Sequence, residues 1–228
     1  MHKITLNDVS IITMSKGRLH HLTKTIDSFL TQNTHEVIVV DYGCPDNTYE
    51  WCVSQNNPRL KSIRASSIKE YFNISKARNI GARLAIGNVL LFADVDNLMP
   101  LHFTQNCIDF MANEDVDLCC PAYFDFCMSG TCLVKASVWN IVRGYDESLS
   151  GWGYDDIDFY DRVKFAGFTR GLFMNHGLTS ISHSDEESTK YYENKNKDET
   201  AHINIVKILD KSRPINQCEF GIPSFMLI

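Results

Sequence analysis

The chain has 228 residues and a mass of 26.0 kDa, enough for one substantial hydrophobic core. A hydrophobic content of 44% and a charged content of 22% are ordinary for a globular protein, and a net charge of −6 without a basic cluster argues against nucleic-acid binding. No apolar run has the length of a signal peptide core or a bilayer span, so we expect a cytoplasmic protein whose eight cysteines are free thiols.

The first hundred residues alternate between short apolar runs and amphipathic segments. Strands are predicted at 9–14, 36–41, 60–64 and 88–93, and helices at 19–32, 48–55 and 74–84. This alternation is typical of an α/β fold in which helices cover both faces of a mostly parallel central sheet. Ligands of such sheets bind outside the carboxyl ends of the strands, where the sequence places Thr13, Ser15, Asp41, Asp94 and Asp96.

The second half is less regular. Helices are predicted at 101–111, 137–142 and 156–166, and strands at 116–120 and 130–135. The segment from Ser184 to Thr200 is rich in Glu, Lys and Asn, which predicts a loop or a poorly ordered segment before a final helix near 203–209. The tail from Pro214 ends in four apolar residues. Packing within the chain is the default expectation for it, and contact with a partner or peripheral contact with a membrane surface stay open.

Asp94 and Asp96 follow the apolar run 88–93 directly. In extended chain, residues i and i+2 point to the same side, so both carboxylates can face one cleft. Two close carboxylates repel each other unless a cation or a shared proton lies between them, and a hard divalent metal such as Mg²⁺ or Mn²⁺ prefers oxygen ligands. An acidic turn without a metal is the alternative.

A second cluster of acidic residues lies at 155–158, where a helix is predicted to begin. Carboxylates at a helix N-terminus are commonly caps. Three Asp residues exceed what one helix start needs, and Trp152 lies between two glycines just before them. An exposed aromatic ring beside carboxylates can stack on a sugar while the carboxylates bind its hydroxyls. Burial of Trp152 as a core anchor is the alternative.

Taken in order, these segments resemble a glycosyltransferase of the GT-A fold. The first half is similar to family-two enzymes at 9–13, 37–43, 46–48, 77–81 and the D-x-D motif 94–96. The second half resembles the galactosyltransferase region of β-1,4-galactosyltransferases and chondroitin polymerases at 144–145, 151–158 and 181–184. The resemblance covers residues 9 to about 185. It implies one catalytic domain, 1–210, with a nucleotide-sugar-binding half, 1–100, a smaller acceptor-binding and catalytic half, 101–210, and a tail, 211–228.

The resemblance also implies a function, namely metal-dependent transfer of a sugar from a nucleotide-diphosphate sugar, expected to be a UDP-sugar, to a hydroxyl of a saccharide or glycoconjugate. Asp96 would be the main ligand of Mn²⁺ or Mg²⁺ and His183 the third protein ligand, while Asp94 would contact the donor and share the metal indirectly. The other implied donor-binding residues are Thr13, Ser15, Arg18, Asp41, Arg78, Asn79 and Val95.

For the acceptor side, the resemblance implies that Asp156 is the general base. Family enzymes that retain configuration tend to carry Asn at this position, so a carboxylate favours an inverting, single-displacement reaction. Asp155 would bind acceptor hydroxyls, with Trp152 as a stacking platform and Gly130 and Gly153 beside it. Asp155 departs from the family pattern, which usually has the longer Glu at this point.

Two other functions stay open. A nucleotidyltransferase would share the nucleotide cleft and the paired Asp residues, but usually carries a Gly-rich, basic phosphate loop, of which residues 14–18 are only a thin version. A non-catalytic carbohydrate-binding protein of the same fold is the other alternative.

Overall fold

The computed structural model describes residues 3–122, 128–174, 177–224 and 226. The strands are β1 (Val9–Ser15), β2 (Glu36–Asp41), β3 (Leu60–Arg64), β4 (Val89–Phe92), β5 (Asn97–Leu98), β6 (Leu118–Pro121), β7 (Cys132–Lys135), β8 (Arg170–Phe173) and β9 (Thr179–Ser180). The helices are α1 (Leu19–Leu30), α2 (Thr48–Ser54), α3 (Ile74–Leu84), α4 (Phe103–Asn113), α5 (Ala136–Ile141), α6 (Asp155–Phe165), α7 (Asp185–Thr189) and α8 (Lys197–Leu209), with a short 3₁₀ helix at Leu6–Asp8. Among these helices, none has the length and apolar character that crossing a membrane requires.

Seven strands form the main sheet in the order β3-β2-β1-β4-β7-β6-β8. The first four strands of this order are parallel, and β7 is antiparallel to both of its neighbours. β8 is parallel to β6. The α/β fold class with a mostly parallel sheet is therefore confirmed. The carboxyl ends of β1, β2, β3 and β4 meet at one edge, as do those of β6 and β8, because β7 is the strand that reverses direction.

Helices cover both faces of this sheet, which explains the continuous apolar runs of the central strands. Ile11 and Ile12 are adjacent in β1, fully buried, and belong to two different hydrophobic clusters, one on each face. Helix α3 packs Ala77 and Ile80 on the face of Ile12. Helix α1 packs its buried side chains, which include Phe29, on the face of Ile11. Both faces of the sheet are therefore core.

The polar segment from Ser184 to Thr200 is not a structureless loop, so that prediction was wrong. It contains α7 and the first turn of α8. The Ser184 side chain accepts a hydrogen bond from the Glu187 N–H (3.1 Å), and the Asn196 side chain accepts one from the Glu199 N–H (3.1 Å). Acidic residues in the first turn of each helix interact favourably with the helix dipole and stabilise the helix. Capping therefore supports helices that the composition alone did not indicate.

The C-terminal part packs on the domain as far as Ser224, whose hydroxyl donates a hydrogen bond to the Glu70 carboxylate. Phe220 is buried against Trp139, with ring centroids 5.3 Å apart. The Arg143 guanidinium donates hydrogen bonds to the main-chain oxygens of Ile215, Asn216 and Cys218. Most of the apolar end of the tail, at 225 and 227–228, lies outside the described residues. Of the eight cysteines, seven are described and are free thiols; Cys127 is not among the described residues.

Close packing of α3 on the sheet gives a testable prediction at Gly81. Alanine would normally stabilise a helix interior by about 1 kcal/mol relative to glycine. A Cβ at Gly81, however, would lie 2.4 Å from Ile12 Cγ2 and 3.1 Å from Val40 Cγ2. Overpacking of this kind costs roughly 1–3 kcal/mol. We expect Gly81→Ala to lower the free energy of unfolding, measured in urea, whereas Lys24→Ala on exposed α1 surface leaves it nearly unchanged. An unchanged or higher value for Gly81→Ala would contradict this packing.

Candidate active site

Asp94 and Asp96 lie in a tight turn immediately after β4. The Asp94 N–H donates to Asn97 Oδ1 (3.0 Å), and the Asn97 N–H donates back to the Asp94 carbonyl (3.0 Å). The Thr131 hydroxyl donates to the same Asn97 oxygen (2.8 Å). Asn97 is fully buried, so this turn is held from within the protein. The fixed turn presents both carboxylates at the carboxyl edge of the sheet.

Asp96 meets His183 across the small two-stranded sheet of β5 and β9. These strands pair Asn97 with Ser180, and the Ile181 N–H donates to the Asp96 carbonyl (2.9 Å). His183 Nε2 then lies 2.8 Å from Asp96 Oδ2, and Arg18 Nη1 lies 3.6 Å from the same oxygen. Two side chains from distant parts of the sequence, His183 and Arg18, therefore converge on the Asp96 carboxylate.

The Asp96–His183 pair fits a divalent cation. Burial and the nearby Asp94 charge raise the pKa of Asp96, against the lowering effect of Arg18 and His183. A bound cation would stabilise the ionised form of a carboxylate in such surroundings. His183 Nδ1 lies 3.3 Å from the Ser184 carbonyl, which holds the ring with Nε2 toward Asp96, as is common for metal-binding histidines. A carboxylate suits Mg²⁺ or Mn²⁺, and the imidazole favours the transition metal of the two.

The Arg78 guanidinium lies at the centre of the site, 2% exposed, between two carboxylates. Its Nη2 lies 3.1 Å from Asp94 Oδ1, and its Nη1 donates to Asp155 Oδ2. The guanidinium carbon lies 4.9 Å from the centroid of the Tyr145 ring. A Cβ at Gly130 would be 2.4 Å from Arg78 Nη2 and 2.8 Å from Asp94 Oδ2, so only glycine leaves room for the pair. Arg78 therefore links the D-x-D turn to the start of α6.

The two carboxylates at the start of α6 lie in different surroundings. Asp155 is paired with Arg78. Burial raises its pKa to about 6, opposed by Arg78 and reinforced by the charges of Asp156 and Asp94. Asp156 is 8% exposed and accepts a hydrogen bond from the Ile157 N–H (2.8 Å). Within the described residues Asp156 has no ion-pair partner, so of the two carboxylates it is the one not already bound to a cation.

Trp152 is 45% exposed and is therefore not a core anchor. Its main-chain N–H donates to the Thr200 hydroxyl (3.1 Å), and the ammonium of Lys197 lies 4.9 Å from its ring centroid. The Asn204 amide donates to the Gly153 carbonyl (2.9 Å), so α8 holds this loop in place. The ring lines a cavity of about 550 Å³, together with Asp185, Glu186, Thr189, Lys195, Lys197 and Asp198. A half-exposed ring on a braced loop is available for stacking.

Several predicted donor-binding residues lie behind the cleft surface. The Asn79 side chain is fully buried and exchanges hydrogen bonds with the main chain of Tyr145 (2.8 Å each). The others with little or no exposed area are Thr13, Ser15, Asp41 and Val95. The Asp41 carboxylate accepts hydrogen bonds from the N–H groups of Cys44 (2.6 Å) and Tyr49 (3.0 Å). Asp41 and Asn79 thus brace the loops around the cleft, and a direct donor contact for either stays a prediction.

The loop that Asp41 braces borders a second cavity, of about 390 Å³, which the sequence did not single out. It is lined by Gly43, Cys44, Pro45, Asn47, Arg64, Ser66, Ser67 and Ile68. Arg64 ends β3 and lies 3.3 Å from Asp41 and 2.7 Å from Glu50. The rule that ligands bind at the carboxyl ends of strands would have indicated Arg64 as well. The cavity is the right size for part of a small ligand.

Lys16 does not point into the cleft as a phosphate-binding lysine would. Its ammonium donates to the carbonyls of Tyr42 (2.8 Å) and Gly43 (3.0 Å) and, more weakly, of Ile68 (3.4 Å). Burial lowers the pKa of Lys16. Its role is to join β1 to the loops after β2 and β3.

Solved structures share this fold. The mannosyltransferase PcManGT of Pyrobaculum calidifontis, in complex with GDP-Man and Mn²⁺, superposes with a TM-score of 0.64 and 17% identity, over 77% of this chain and 57% of that one. S. aureus TarS 1–349, in complex with UDP-GlcNAc, gives a TM-score of 0.68 and 15% identity, over 90% of this chain and 68% of that one. These likenesses confirm the predicted GT-A fold.

Sequence comparison gives the family. An uncharacterised glycosyltransferase of Nostoc sp. is 28% identical over 115 residues, which are 47% of this chain and 34% of that protein. This chain thus spans about a third of the curated relative's length. The sequence pattern of Glycosyl transferase family 2 matches residues 10–174. Because this match covers well over half of the 228 residues, the chain belongs to glycosyl transferase family 2.

Proposed function

We propose that the protein is a metal-dependent, inverting glycosyltransferase that moves a sugar from a nucleotide-diphosphate sugar to a hydroxyl of a saccharide or glycoconjugate. The observation that carries the proposal is the 2.8 Å approach of His183 Nε2 to Asp96 Oδ2 at the carboxyl edge of a family-two sheet. Asp96 is buried beside the charge of Asp94, so a cation bound at this ligand-binding edge would stabilise its carboxylate.

Asp96 and His183 are the residues that would hold Mn²⁺ or Mg²⁺. The bound metal would supply positive charge to the leaving nucleoside diphosphate. Arg18 lies 3.6 Å from Asp96 and adds a second positive charge on the same side of the cleft. Asp94 is held by Arg78 (3.1 Å) and its side chain is 29% exposed, so one face of it stays open toward a donor sugar or ribose. In this arrangement Asp96 binds the cation and Asp94 orients the donor.

Asp156 is the proposed general base. It takes the proton of the acceptor hydroxyl as that oxygen attacks the anomeric carbon from the face opposite the leaving group, which inverts the configuration. Asp155 is already paired with Arg78, whereas Asp156 has no cationic partner within the described residues. Asp156 is close enough to Asp155 to raise its pKa. Asp156 is therefore near the site and free to accept a proton.

The proposed acceptor side uses the segments that resemble β-1,4-galactosyltransferases and chondroitin polymerases. Tyr145 lies under the Arg78 guanidinium, Asp155 pairs with it, and His183 meets Asp96. Trp152 is half-exposed beside a polar cavity of about 550 Å³. An aromatic ring among carboxylates and lysines suits a saccharide better than an apolar acceptor. This favours a sugar or glycoconjugate acceptor.

A UDP-sugar is the donor that we favour, and TarS, a structural neighbour in complex with UDP-GlcNAc, supports it. The neighbour PcManGT in complex with GDP-Man and Mn²⁺ makes a GDP-sugar the first competitor and supports Mn²⁺ as the metal. The cavity bordered by Arg64 and residues 43–47 lies at the carboxyl ends of β2 and β3, where we place the nucleoside. Of the other functions, a nucleotidyltransferase is disfavoured because Lys16 is occupied by main-chain carbonyls.

The proposal is tested by incubating the protein with Mn²⁺ and a panel of UDP- and GDP-sugars, and by measuring the released nucleoside diphosphate. We expect slow, Mn²⁺-dependent hydrolysis of one donor and thermal stabilisation by the matching nucleoside diphosphate. Asp96→Asn lacks the main metal ligand, so addition of Mn²⁺ should no longer stimulate donor hydrolysis. This loss should exceed the roughly 10–100-fold loss of metal affinity or activity that follows when a residue contacting only a ligand is changed. Asp109→Asn, on exposed surface of α4, is the control. The absence of any response to every nucleotide would contradict the proposal.

Asp156→Asn separates catalysis from donor binding. The amide keeps the shape of the carboxylate but cannot take the acceptor proton, so we expect the transfer rate to fall about 10²–10⁴-fold. Binding of UDP in the presence of Mn²⁺, measured by calorimetry, should stay within about twofold of the unchanged protein, which is below 0.5 kcal/mol. Asp161→Asn, 43% exposed on the same helix, is the matched control. Loss of UDP binding in Asp156→Asn would show that the base has been misplaced.

A further inference from the structure

A second group of potential metal ligands lies beside the Asp96–His183 pair. His20 Nε2 and His21 Nε2 lie 2.9 Å and 3.4 Å from the same oxygen, Glu187 Oε1. One ligand atom from each of these three residues lies within 4.8 Å of the others. His20 and His21 belong to the first turn of α1, and Glu187 belongs to α7. The group shares no residue with the site described above.

We propose that His20, His21 and Glu187 bind one divalent transition-metal ion of the Zn²⁺ class, which joins α7 to α1. Two imidazole nitrogens and a carboxylate oxygen are the ligands that Zn²⁺ takes, at about 2.0–2.2 Å from the metal. Ligand atoms at that radius around a tetrahedral ion lie roughly 3.3–3.5 Å apart. The two nitrogen-to-oxygen distances are close to this separation. The two imidazole nitrogens lie within 4.8 Å of each other, so all three ligand atoms can approach one ion.

The surroundings of His21 support a built site. His21 is 3% exposed, and its Nδ1 is a buried atom without a hydrogen-bond partner, so the ring was not brought inside by a complete hydrogen-bond network. The His20 side chain is 56% exposed, which leaves a path for the ion and an open position for water. Both imidazoles approach the same oxygen of Glu187, although one of them would be enough to hydrogen-bond it.

The ligand types separate this site from the proposed donor site. Imidazole suits Zn²⁺ and its neighbours in the transition series, whereas the oxygen-rich D-x-D turn suits Mg²⁺ or Mn²⁺. The His21 and His183 rings lie with centroids 5.8 Å apart, but His183 Nε2 is directed to Asp96. We therefore expect the two neighbouring sites to prefer different metal ions.

The position of the site gives it a structural consequence. Helix α7 directly follows His183, and the chain continues to Tyr191, whose ring packs on Gly17 so closely that a Cβ there would lie 2.4 Å from it. The segment 181–191 therefore runs across the start of α1. A metal between His20, His21 and Glu187 would fasten this segment and hold His183 in its place over the cleft. The inference does not depend on the proposed transferase activity.

The test is Zn²⁺ titration by calorimetry of the tag-free, metal-free chain carrying Asp96→Asn, so that the donor site is disabled. We expect one Zn²⁺ per chain, and, with Co²⁺ instead, the strong visible absorption of a tetrahedral ion. Adding His20→Gln or Glu187→Gln should weaken Zn²⁺ binding at least tenfold and remove the Co²⁺ absorption. Both substitutions are at partly exposed side chains, and circular dichroism checks that the variants fold. His35→Gln, another exposed histidine, should leave both signals unchanged.

Two results would overturn the inference. One is the absence of saturable Zn²⁺ binding in the Asp96→Asn chain, which would mean that any zinc bound by the unchanged protein occupies the Asp96–His183 site. The other is equal Zn²⁺ affinity with and without His20→Gln and Glu187→Gln, which would place the bound ion elsewhere. Neither result depends on nucleotide binding, so failure here and failure of the proposed transferase function give different outcomes.

Discussion

The buried guanidinium of Arg78 is the interaction on which the rest of the site depends. It lies between Asp94, from the turn after β4, and Asp155, from the first turn of α6. Neither partner is fully exposed, and removal of the cation would leave two carboxylates facing each other in partly desolvated surroundings. Much of the local architecture serves this one side chain, including the space that Gly130 leaves and the Tyr145 ring beneath it. Arg78 thus joins the proposed donor half to the proposed acceptor half.

The same logic of distant segments meeting at the sheet edge applies to the proposed metal ligands. Asp96 is fixed by the turn that Asn97 holds, and His183 reaches it only because β5 pairs with β9. The main sheet supplies the edge, and the small sheet supplies the second ligand. The segment that follows, with α7 and Tyr191, then covers the start of α1. Its position decides whether His183 stays over the cleft, which is why a metal between α7 and α1 would matter to the site.

The parallel half of the fold could be predicted from the sequence because its signals are local. Continuous apolar runs mark buried strands, and the residue after each run marks the ligand-binding edge, which is how Asp94 and Asp96 were found. The roles of Asp41 and Asn79 could not be predicted in this way. Their partners are main-chain groups of loops, at Cys44, Tyr49 and Tyr145, whose positions depend on the folded turns.

The C-terminal half was harder for related reasons. The short strands β8 and β9 carry too few residues for an alternation pattern, and the polar composition around α7 hid the caps that stabilise it. The group of His20, His21 and Glu187 could not be predicted from local sequence, because its histidines lie far from Glu187 along the chain. Resemblance, rather than local pattern, singled out His183, and His176, the other histidine of that region, lies outside the described residues.

The most direct test of the central claim, that Arg78 unites the two halves, is a double-mutant cycle on the free energy of unfolding with Arg78→Met and Asp155→Asn. Arg78→Met alone removes the cation and should destabilise by about 3–5 kcal/mol. In the double variant part of this loss should be recovered, because the uncharged Asn side chain at position 155 leaves no buried carboxylate without its cation. We therefore expect a coupling free energy of at least about 1 kcal/mol. If the effects of the two substitutions on the free energy of unfolding add within about 0.5 kcal/mol, the claim is contradicted, since the two residues then make no stabilising interaction with each other.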